Sequence, residues 1–148
     1  QDRAEWRLFM KKQTRSEARK ETFKLVFQTE KNNDDIEFLI GQMLENKPEC
    51  EQNLEYIKST VFGILDKDEE LKKDISENLS SGWRIERISK VSLALLKLAI
   101  YEIKYIDEIP AKVSINEAVE LDKKFDEPDN SAFINGVLGG FCKKNNII

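Results

Sequence analysis

Two arginines near the start of the chain have the type and spacing of a phosphate-binding pair. Arg15 and Arg19 are four residues apart, so on a helix they lie one turn apart on the same face. Guanidinium groups donate paired hydrogen bonds to phosphates and stack on unpaired bases, which is the chemistry of single-stranded RNA recognition. Lys11 and Lys12 extend this cluster. Because clustered charges on helices are usually solvated, spacing alone favours a solvated face over a binding site.

The charge of the chain is divided unevenly along its length. The 148 residues carry a formal net charge of −4. Residues 1–31 contain nine basic and five acidic side chains, which makes that segment +4 and the remainder −8. This asymmetry indicates a basic end that attracts polyanions and an acidic body that suits a different partner.

The residue inventory argues against catalysis. The chain contains no histidine, which removes Ser-His and Cys-His pairs, imidazole ligands for zinc and the commonest general base near neutral pH. Asn116 and Glu117 place an amide beside a carboxylate, but Glu117 also completes the pattern Ser114-x-x-Glu117, a capping box that explains it structurally. We therefore expect no catalytic residues, no metal site and no cofactor.

The composition is typical of a cytoplasmic globular protein. Hydrophobic residues make up 40% and charged residues 35%, and apolar runs fall short of the ~18 residues of a membrane span. Cys50 and Cys142 lack CxxC spacing, which predicts two free, buried thiols in a reducing compartment. Residues 1–9 precede Met10, a plausible start, and are interpreted as a leader or expression-tag remnant, with a native arm as the alternative.

The basic cluster is predicted to lie on the first of several amphipathic helices. Thr14-Arg-Ser-Glu17 has the pattern of a capping box and predicts a helix over about residues 15–29. Three further helices are predicted in the first half of the chain: one capped by Asn33, one over residues 54–65 and one capped by Asp66 or Asp68.

A nearly all-apolar segment over residues 91–106 predicts a helix at the centre of a bundle, because few of its positions could face water. Ser114 would start the next helix, and Asp129, Asn130 or Ser131 would cap the last. No segment alternates with the period of two that a strand requires. The expectation is a single all-α domain over residues 10–148, with about seven helices around a central hydrophobic helix.

The carboxy-terminal third carries a specific sequence signature. Its parts are Ala94-Leu-Leu-Lys-Leu-Ala-Ile-Tyr-Glu102, Ile109-Pro-Ala-Lys-Val-Ser-Ile-Asn-Glu-Ala-Val-Glu-Leu121 and Phe133-Ile-Asn-Gly-Val-Leu138. In order and spacing these parts closely resemble the NusB family, and the helix from Ala18 to Phe27 resembles that family's arginine-rich first helix. The resemblance covers about residues 14–142 and implies a fold of two helical subdomains.

The resemblance also implies a function. NusB-family proteins bind the single-stranded boxA element of nascent ribosomal RNA together with NusE, a small-subunit ribosomal protein, so that the RNA polymerase antitermination complex reads through terminators. For some members it also implies self-association into a homodimer through the RNA-binding face. Two alternatives stay open: the helical module of an rRNA methyltransferase, which requires a following α/β domain with a Gly-rich loop, and a structural oligomeric protein.

The resemblance assigns roles to individual residues. The positions that it assigns to RNA are Lys11, Lys12, Arg15, Arg19, Asp129, Asn130 and Phe133. Phe133 either stacks on a base or fills the core, and stacking contributes ~1–3 kcal/mol per base. Glu86 and Ser92 fall where relatives contact their protein partner, and an acidic body would steer the encounter with a basic ribosomal protein.

Overall fold

The computed structural model describes residues 11–31 and 35–148, and the regular secondary structure of this part of the chain is entirely helical, without a strand. Its α-helices are α1 (Arg15–Lys31), α2 (Ile36–Asn46), α3 (Leu54–Asp66), α4 (Asp68–Ser76), α5 (Lys90–Tyr105), α6 (Ala111–Phe125) and α7 (Ser131–Lys144). Short 3-10 helices occupy Pro48–Asn53, Ile85–Arg87 and Pro128–Asn130. The all-α prediction is confirmed, whereas the interpretation of residues 1–9 lies outside the described residues. Within the described ranges, every helix is too short or too polar to cross a membrane.

The start of α1 is fixed by the predicted capping box. The backbone N–H of Thr14 donates to Glu17 Oε1 at 2.9 Å, and the backbone N–H of Glu17 donates to Thr14 Oγ1 at 3.1 Å. Each side chain thereby satisfies an amide that the first helical turn leaves without a partner. The helix continues to Lys31, two residues beyond its predicted end.

The predicted central helix is α5, and it joins two groups of helices. Helices α1 to α4 contact one another in the first group, α6 and α7 pack together in the second, and α5 contacts helices of both groups. Nine of its residues are buried, and Ser89 caps its start by accepting a hydrogen bond from the backbone N–H of Ser92 at 3.0 Å. A helix that is apolar on nearly all sides can be buried only by neighbours on nearly all sides, which produces this arrangement.

The predicted start of the second helix was wrong. Asn33 was expected to cap it and lies outside the described residues, but the capping residue is Asp35, whose carboxylate accepts a hydrogen bond from the backbone N–H of Glu37 at 3.0 Å. Helix α2 therefore begins at Ile36. Neighbouring Asn and Asp residues are all good N-caps, so the sequence could not separate them.

The predicted cap of the fourth helix was also wrong. Lys67 precedes α4, Asp66 ends α3, and Asp68 lies within the first turn of α4. The carboxylate of Asp68 instead binds the Lys97 ammonium, which is 1% exposed and also binds Glu30. Since a buried ammonium must be paired, this ion-pair cluster fixes α1 and α4 against the central helix.

Ser114 does not start a helix, contrary to the second predicted capping box. Helix α6 begins three residues earlier at Ala111, directly after Pro110. Proline before the first helical residue has a backbone φ of −61° and needs no N–H partner there. Ser114 therefore lies inside α6, where its hydroxyl donates to Glu102 Oε1 of α5 at 2.7 Å.

Both cysteines are buried free thiols, as predicted. Cys50 lies in the 3-10 helix after α2, and Cys142 lies in α7. Burial raises the pKa of each thiol, which keeps both in the unreactive protonated form at neutral pH.

Candidate nucleic-acid interface

The amino-terminal arm that carries the predicted lysines is held by amide side chains. The Gln52 amide donates to the Lys11 carbonyl at 2.7 Å, and its oxygen accepts from the backbone N–H of Gln13 at 3.1 Å. The Asn53 amide donates to Gln13 Oε1 at 3.0 Å. Lys11 and Lys12 are both exposed. The 3-10 helix Pro48–Asn53 thus fixes the backbone of the arm while its ammonium groups stay in solvent.

Arg15 is oriented by an aromatic ring but remains accessible. Its guanidinium carbon lies 4.4 Å from the centre of the Tyr56 ring, and its Nε donates a long hydrogen bond of 3.5 Å to Asn53 Oδ1. The side chain is exposed and borders an open groove of about 390 Å³ that Ser59 and Glu108 also line. A cation–π contact at such a site is worth about 0.5–1 kcal/mol, which favours one orientation without removing the charge from solvent.

Arg19 is on the same helix one turn later, but it faces the protein interior. It is 3% exposed, its Nε donates to Glu102 Oε2 at 2.8 Å, and its Nη1 donates to Glu117 Oε1 at 2.7 Å. Burial by itself would lower the pKa of the guanidinium, but Glu102 and Glu117 raise it above its ordinary value. Arg19 is therefore a buried cation that ties α1 to α5 and α6.

Glu102 is the centre of this buried network. The side chain is fully buried and accepts hydrogen bonds from Arg19, Ser114 and the hydroxyl of Tyr56. Burial and the neighbouring carboxylate raise the pKa of Tyr56, so the phenol stays protonated and donates. Glu117, which the sequence assigned to a helix cap, instead binds Arg19 and the Ser16 hydroxyl.

Asn130 and Ser92, which the sequence assigned to different partners, form one hydrogen-bonded cluster. The Asn130 amide donates to Ser92 Oγ at 2.7 Å, to Asp122 Oδ1 at 2.8 Å and to Asp126 Oδ2 at 3.2 Å. Ser92 is 1% exposed, whereas Asp129 is exposed. Asn130 directly precedes α7, but its side-chain amide makes these contacts instead of capping the helix. The contacts fix the loop between α6 and α7 to the start of α5.

Phe133 is half-buried and packs against a residue that sequence reasoning did not select. Its ring centre lies 6.0 Å from that of Trp83, with the planes inclined by 37°. The Trp83 side chain is 54% exposed and follows the turn at Gly82, whose φ of +88° favours glycine. Both rings border a groove of about 390 Å³ together with Arg87 and Ser92. Glu86 is exposed on the same loop.

One set of predicted residues lies near the middle of α6, and the other lies beyond its carboxy-terminal end. Glu117 contacts Ser16 and Arg19 near the basic arm, and Asp126 contacts Asn130 in the last loop. Nine residues of helix separate these carboxylates, which corresponds to about 14 Å along the axis. A shallow groove between α1 and α6, bordered by Lys20 and Lys124, occupies the interval. Fold and surface together define an all-α domain with exposed cations on the arm and on α1, and with an exposed aromatic pair beside the loop after α6.

Comparisons with known proteins agree with this class. The family model described as "NusB family" matches residues 16–143. The transcription antitermination protein NusB of Acetivibrio thermocellus is 43% identical over 129 residues, which is 87% of this chain and 88% of that protein. A solved structure of T. maritima NusB is 29% identical and superposes with a TM-score of 0.81 over 90% of this chain and 94% of that one. A further solved structure, of antitermination factors NusB and NusE with double-stranded RNA, shares the fold at 24% identity and a TM-score of 0.75, covering 88% of this chain and 96% of that chain.

This chain belongs to the NusB family, because the family model spans most of its length and its relatives match it over nearly their whole length. The resemblance inferred from the carboxy-terminal signature is thereby confirmed.

Proposed function

We propose that this protein is a transcription antitermination factor that binds the boxA element of nascent ribosomal RNA together with NusE, and that the complex helps RNA polymerase pass terminators. The observation that carries the proposal is membership of a family whose 43% identical member is a transcription antitermination protein. A protein of the same fold has been crystallised with NusE and RNA. We place this activity in the cytoplasm and assign the protein no catalytic role.

The RNA would meet the basic arm first. Lys11, Lys12 and Arg15 are exposed on a backbone segment that Gln52 and Asn53 hold in place, so little conformational freedom is lost when phosphates bind. Arg15 already lies over the Tyr56 ring with its guanidinium in solvent. These features support direct phosphate contacts from the arm.

Arg19 would support this face from within. Its guanidinium donates to Glu102 and Glu117 and is almost without exposure, so a direct RNA contact would require it to leave two carboxylates. We propose that Arg19 fixes the position of α1 and thereby of Arg15. Beyond the carboxy-terminal end of α6, Asp129, Asn130 and Phe133 would complete the RNA-binding surface.

Glu86 is the residue proposed to contact the protein partner directly. It is exposed, and a carboxylate there suits a basic ribosomal protein. Ser92 is buried under the Asn130 amide, so its contribution would be to hold the loop beside the partner rather than to touch it.

The test is a binding titration with boxA RNA and a scrambled RNA of the same composition, with NusE present and absent, followed by fluorescence anisotropy. Arg15→Ala should weaken boxA binding about 10-fold, because hydrogen bonds between charged groups contribute about 1.5 kcal/mol or more. The slope of log affinity against log salt should fall by about 0.7 for one lost phosphate contact. Lys73→Ala, an exposed change on α4, is the control. Equal binding of boxA and scrambled RNA under all conditions would refute the proposal.

A further inference from the structure

An exposed tryptophan lies beside the proposed RNA-binding loop. Trp83 is 54% exposed although indole is among the most favourable side chains to bury, and it leans on Phe133 at 6.0 Å between ring centres. The pair forms a continuous aromatic surface at the edge of a groove of about 390 Å³. That volume lies within the range of about 300–1,000 Å³ that is common for small-ligand sites.

The loop that carries Trp83 is locally basic in an acidic chain. Arg84, Arg87 and Lys90 are all exposed, and Glu86 is the acidic residue among them. Arg87 lines the groove together with the two aromatic rings. The segment from Trp83 to Lys90 therefore carries a net charge of +2 within a protein of net charge −4.

Two acidic residues also line the groove, and one of them, Asp126, is already hydrogen-bonded within the fold. Asp126 Oδ2 accepts from Ser89 at 2.9 Å, from Ser92 at 3.1 Å and from Asn130 at 3.2 Å. These bonds fix the groove before any ligand arrives. Glu127 also lines the groove and repels phosphates, so a bound strand would turn its backbone towards Arg87.

We propose that Trp83 and Phe133 form a stacking subsite for one unpaired nucleobase, with Arg87 binding the adjoining phosphate. The proposal rests on the proposed function and extends it by naming a subsite outside the basic arm. The base would lie against the exposed indole face, since stacking on aromatic rings needs no particular base and tolerates a shallow, open groove. Arginine beside the rings supplies the positive charge that pairs with the negatively charged phosphate of the nucleotide.

A protein segment is a poorer occupant of this groove. A basic ribosomal protein that contacts Glu86 would meet the exposed Arg84 and Arg87 if it also entered the groove, and like charges at an interface are unfavourable, so we assign Glu86 and not the groove to that partner. A nucleotide combines a planar apolar base with one negative charge, which matches an aromatic pair flanked by arginine.

Tryptophan fluorescence and anisotropy test the subsite directly. The chain has two tryptophans, so a Trp6→Phe background leaves Trp83 as the reporter, and boxA RNA should quench its emission.

In anisotropy titrations Trp83→Ala should weaken boxA binding between about 5-fold and 150-fold, which corresponds to about 1–3 kcal/mol per stacked base. Trp83→Phe should restore most of the affinity. Phe38→Ala, at an exposed aromatic residue on α2, is the matched control and should leave binding unchanged.

Salt dependence separates the two parts of the subsite. Trp83→Ala should lower affinity without changing the salt slope, because stacking releases no counterions, whereas Arg87→Ala should reduce the slope by about 0.7. Circular dichroism of each variant confirms that the helices are intact. If Trp83→Ala leaves RNA binding unchanged while Arg15→Ala weakens it, the subsite is refuted and the proposed function stands. If Trp83→Ala weakens NusE binding alone, the groove belongs to the protein partner and the inference is overturned.

Discussion

Replacing Glu102 by glutamine removes one buried charge without removing volume. Glu102 is fully buried, and its Oε2 accepts from Arg19 Nε at 2.8 Å and from the Tyr56 hydroxyl, while Oε1 accepts from Ser114 Oγ at 2.7 Å. The glutamine carbonyl can take the place of Oε2, and its NH₂ group can donate to the Ser114 oxygen. Each hydrogen bond of Glu102 therefore has a counterpart in the glutamine variant, so a difference in stability between the two proteins reports the loss of the negative charge.

The expected loss in the free energy of unfolding is about 2 kcal/mol. Removing one partner of a buried ion pair destabilises proteins by about 3–5 kcal/mol, but here Arg19 keeps Glu117 at 2.7 Å and an acceptor at position 102. Hydrogen bonds to charged groups contribute about 1.5–3 kcal/mol against about 1 kcal/mol for neutral ones, a difference of about 0.5–2 kcal/mol whose upper end applies at this buried site. For a domain of this size the melting temperature should fall by about 4–8 °C.

Urea denaturation followed by circular dichroism measures the change. Glu117→Gln is the matched control, because the same guanidinium loses a carboxylate whose side chain is 24% exposed, and its loss should be nearer 1 kcal/mol. Both variants should keep the parental m-value, since neither alters the surface exposed on unfolding. If Glu117→Gln is the more destabilising of the two, burial does not govern the strength of this network and the reasoning is refuted.

Two further predictions concern packing and pH. Gly63→Ala should destabilise the protein by about 1–3 kcal/mol despite its gain in helix propensity, because the new Cβ would overlap the Tyr101 side chain. The same exchange at Gly139, where the space is open, should stabilise the protein by about 0.5–1 kcal/mol in thermal melts. Burial acts to raise the pKa of Asp68, but hydrogen bonds from Lys97 lower that pKa below its ordinary value of 3.8. The ionised Asp68 therefore stabilises the fold above pH 3.8, and this stabilisation is lost as the pH falls through the folded-state pKa. Asp68→Asn should therefore lower stability at pH 7 by about 1 kcal/mol and flatten the acid-induced decline in urea titrations, whereas Glu69→Gln beside it should do neither.

Features that depend on neighbouring residues were predictable from the sequence. The Thr14 capping box and the central helix α5 were both placed within one residue of their observed starts. Hydrogen bonds at a helix end and the apolar period of a helix involve residues at most a few positions apart, so the sequence pattern contains them. The choice between adjacent capping residues at Asp35 failed because several neighbours satisfy the same local rule.

Burial of charged side chains was not predictable, because the partners are distant in the chain. Arg19 and Glu102 are 83 positions apart, and Arg19 and Glu117 are 98 apart. The available signal was a carboxylate within the apolar helix α5, since such a group requires a buried cation. That signal indicates that a partner exists but does not say which of the basic residues supplies it.

The candidate site was only partly predictable for a related reason. Trp83 lies in an irregular loop without periodicity, and its position against Phe133 depends on how the turn at Gly82 folds back on α7. The sequence signal was a tryptophan followed by arginines at positions 84 and 87. This pattern indicates a binding site only when the structure places the loop beside the last helix.

The contact between Ser92 and Asn130 also changes how experiments on the last loop must be interpreted. The sequence assigned Ser92 to the protein partner and Asn130 to RNA, yet their side chains are joined at 2.7 Å and both donate to Asp126. A substitution at either residue therefore moves the surface proposed for the other ligand. Loss of RNA binding there identifies a direct contact only if NusE binding is unchanged. Arg15 lies on α1 against Tyr56 and Asn53, outside this cluster, and is the position where RNA binding can be tested in isolation.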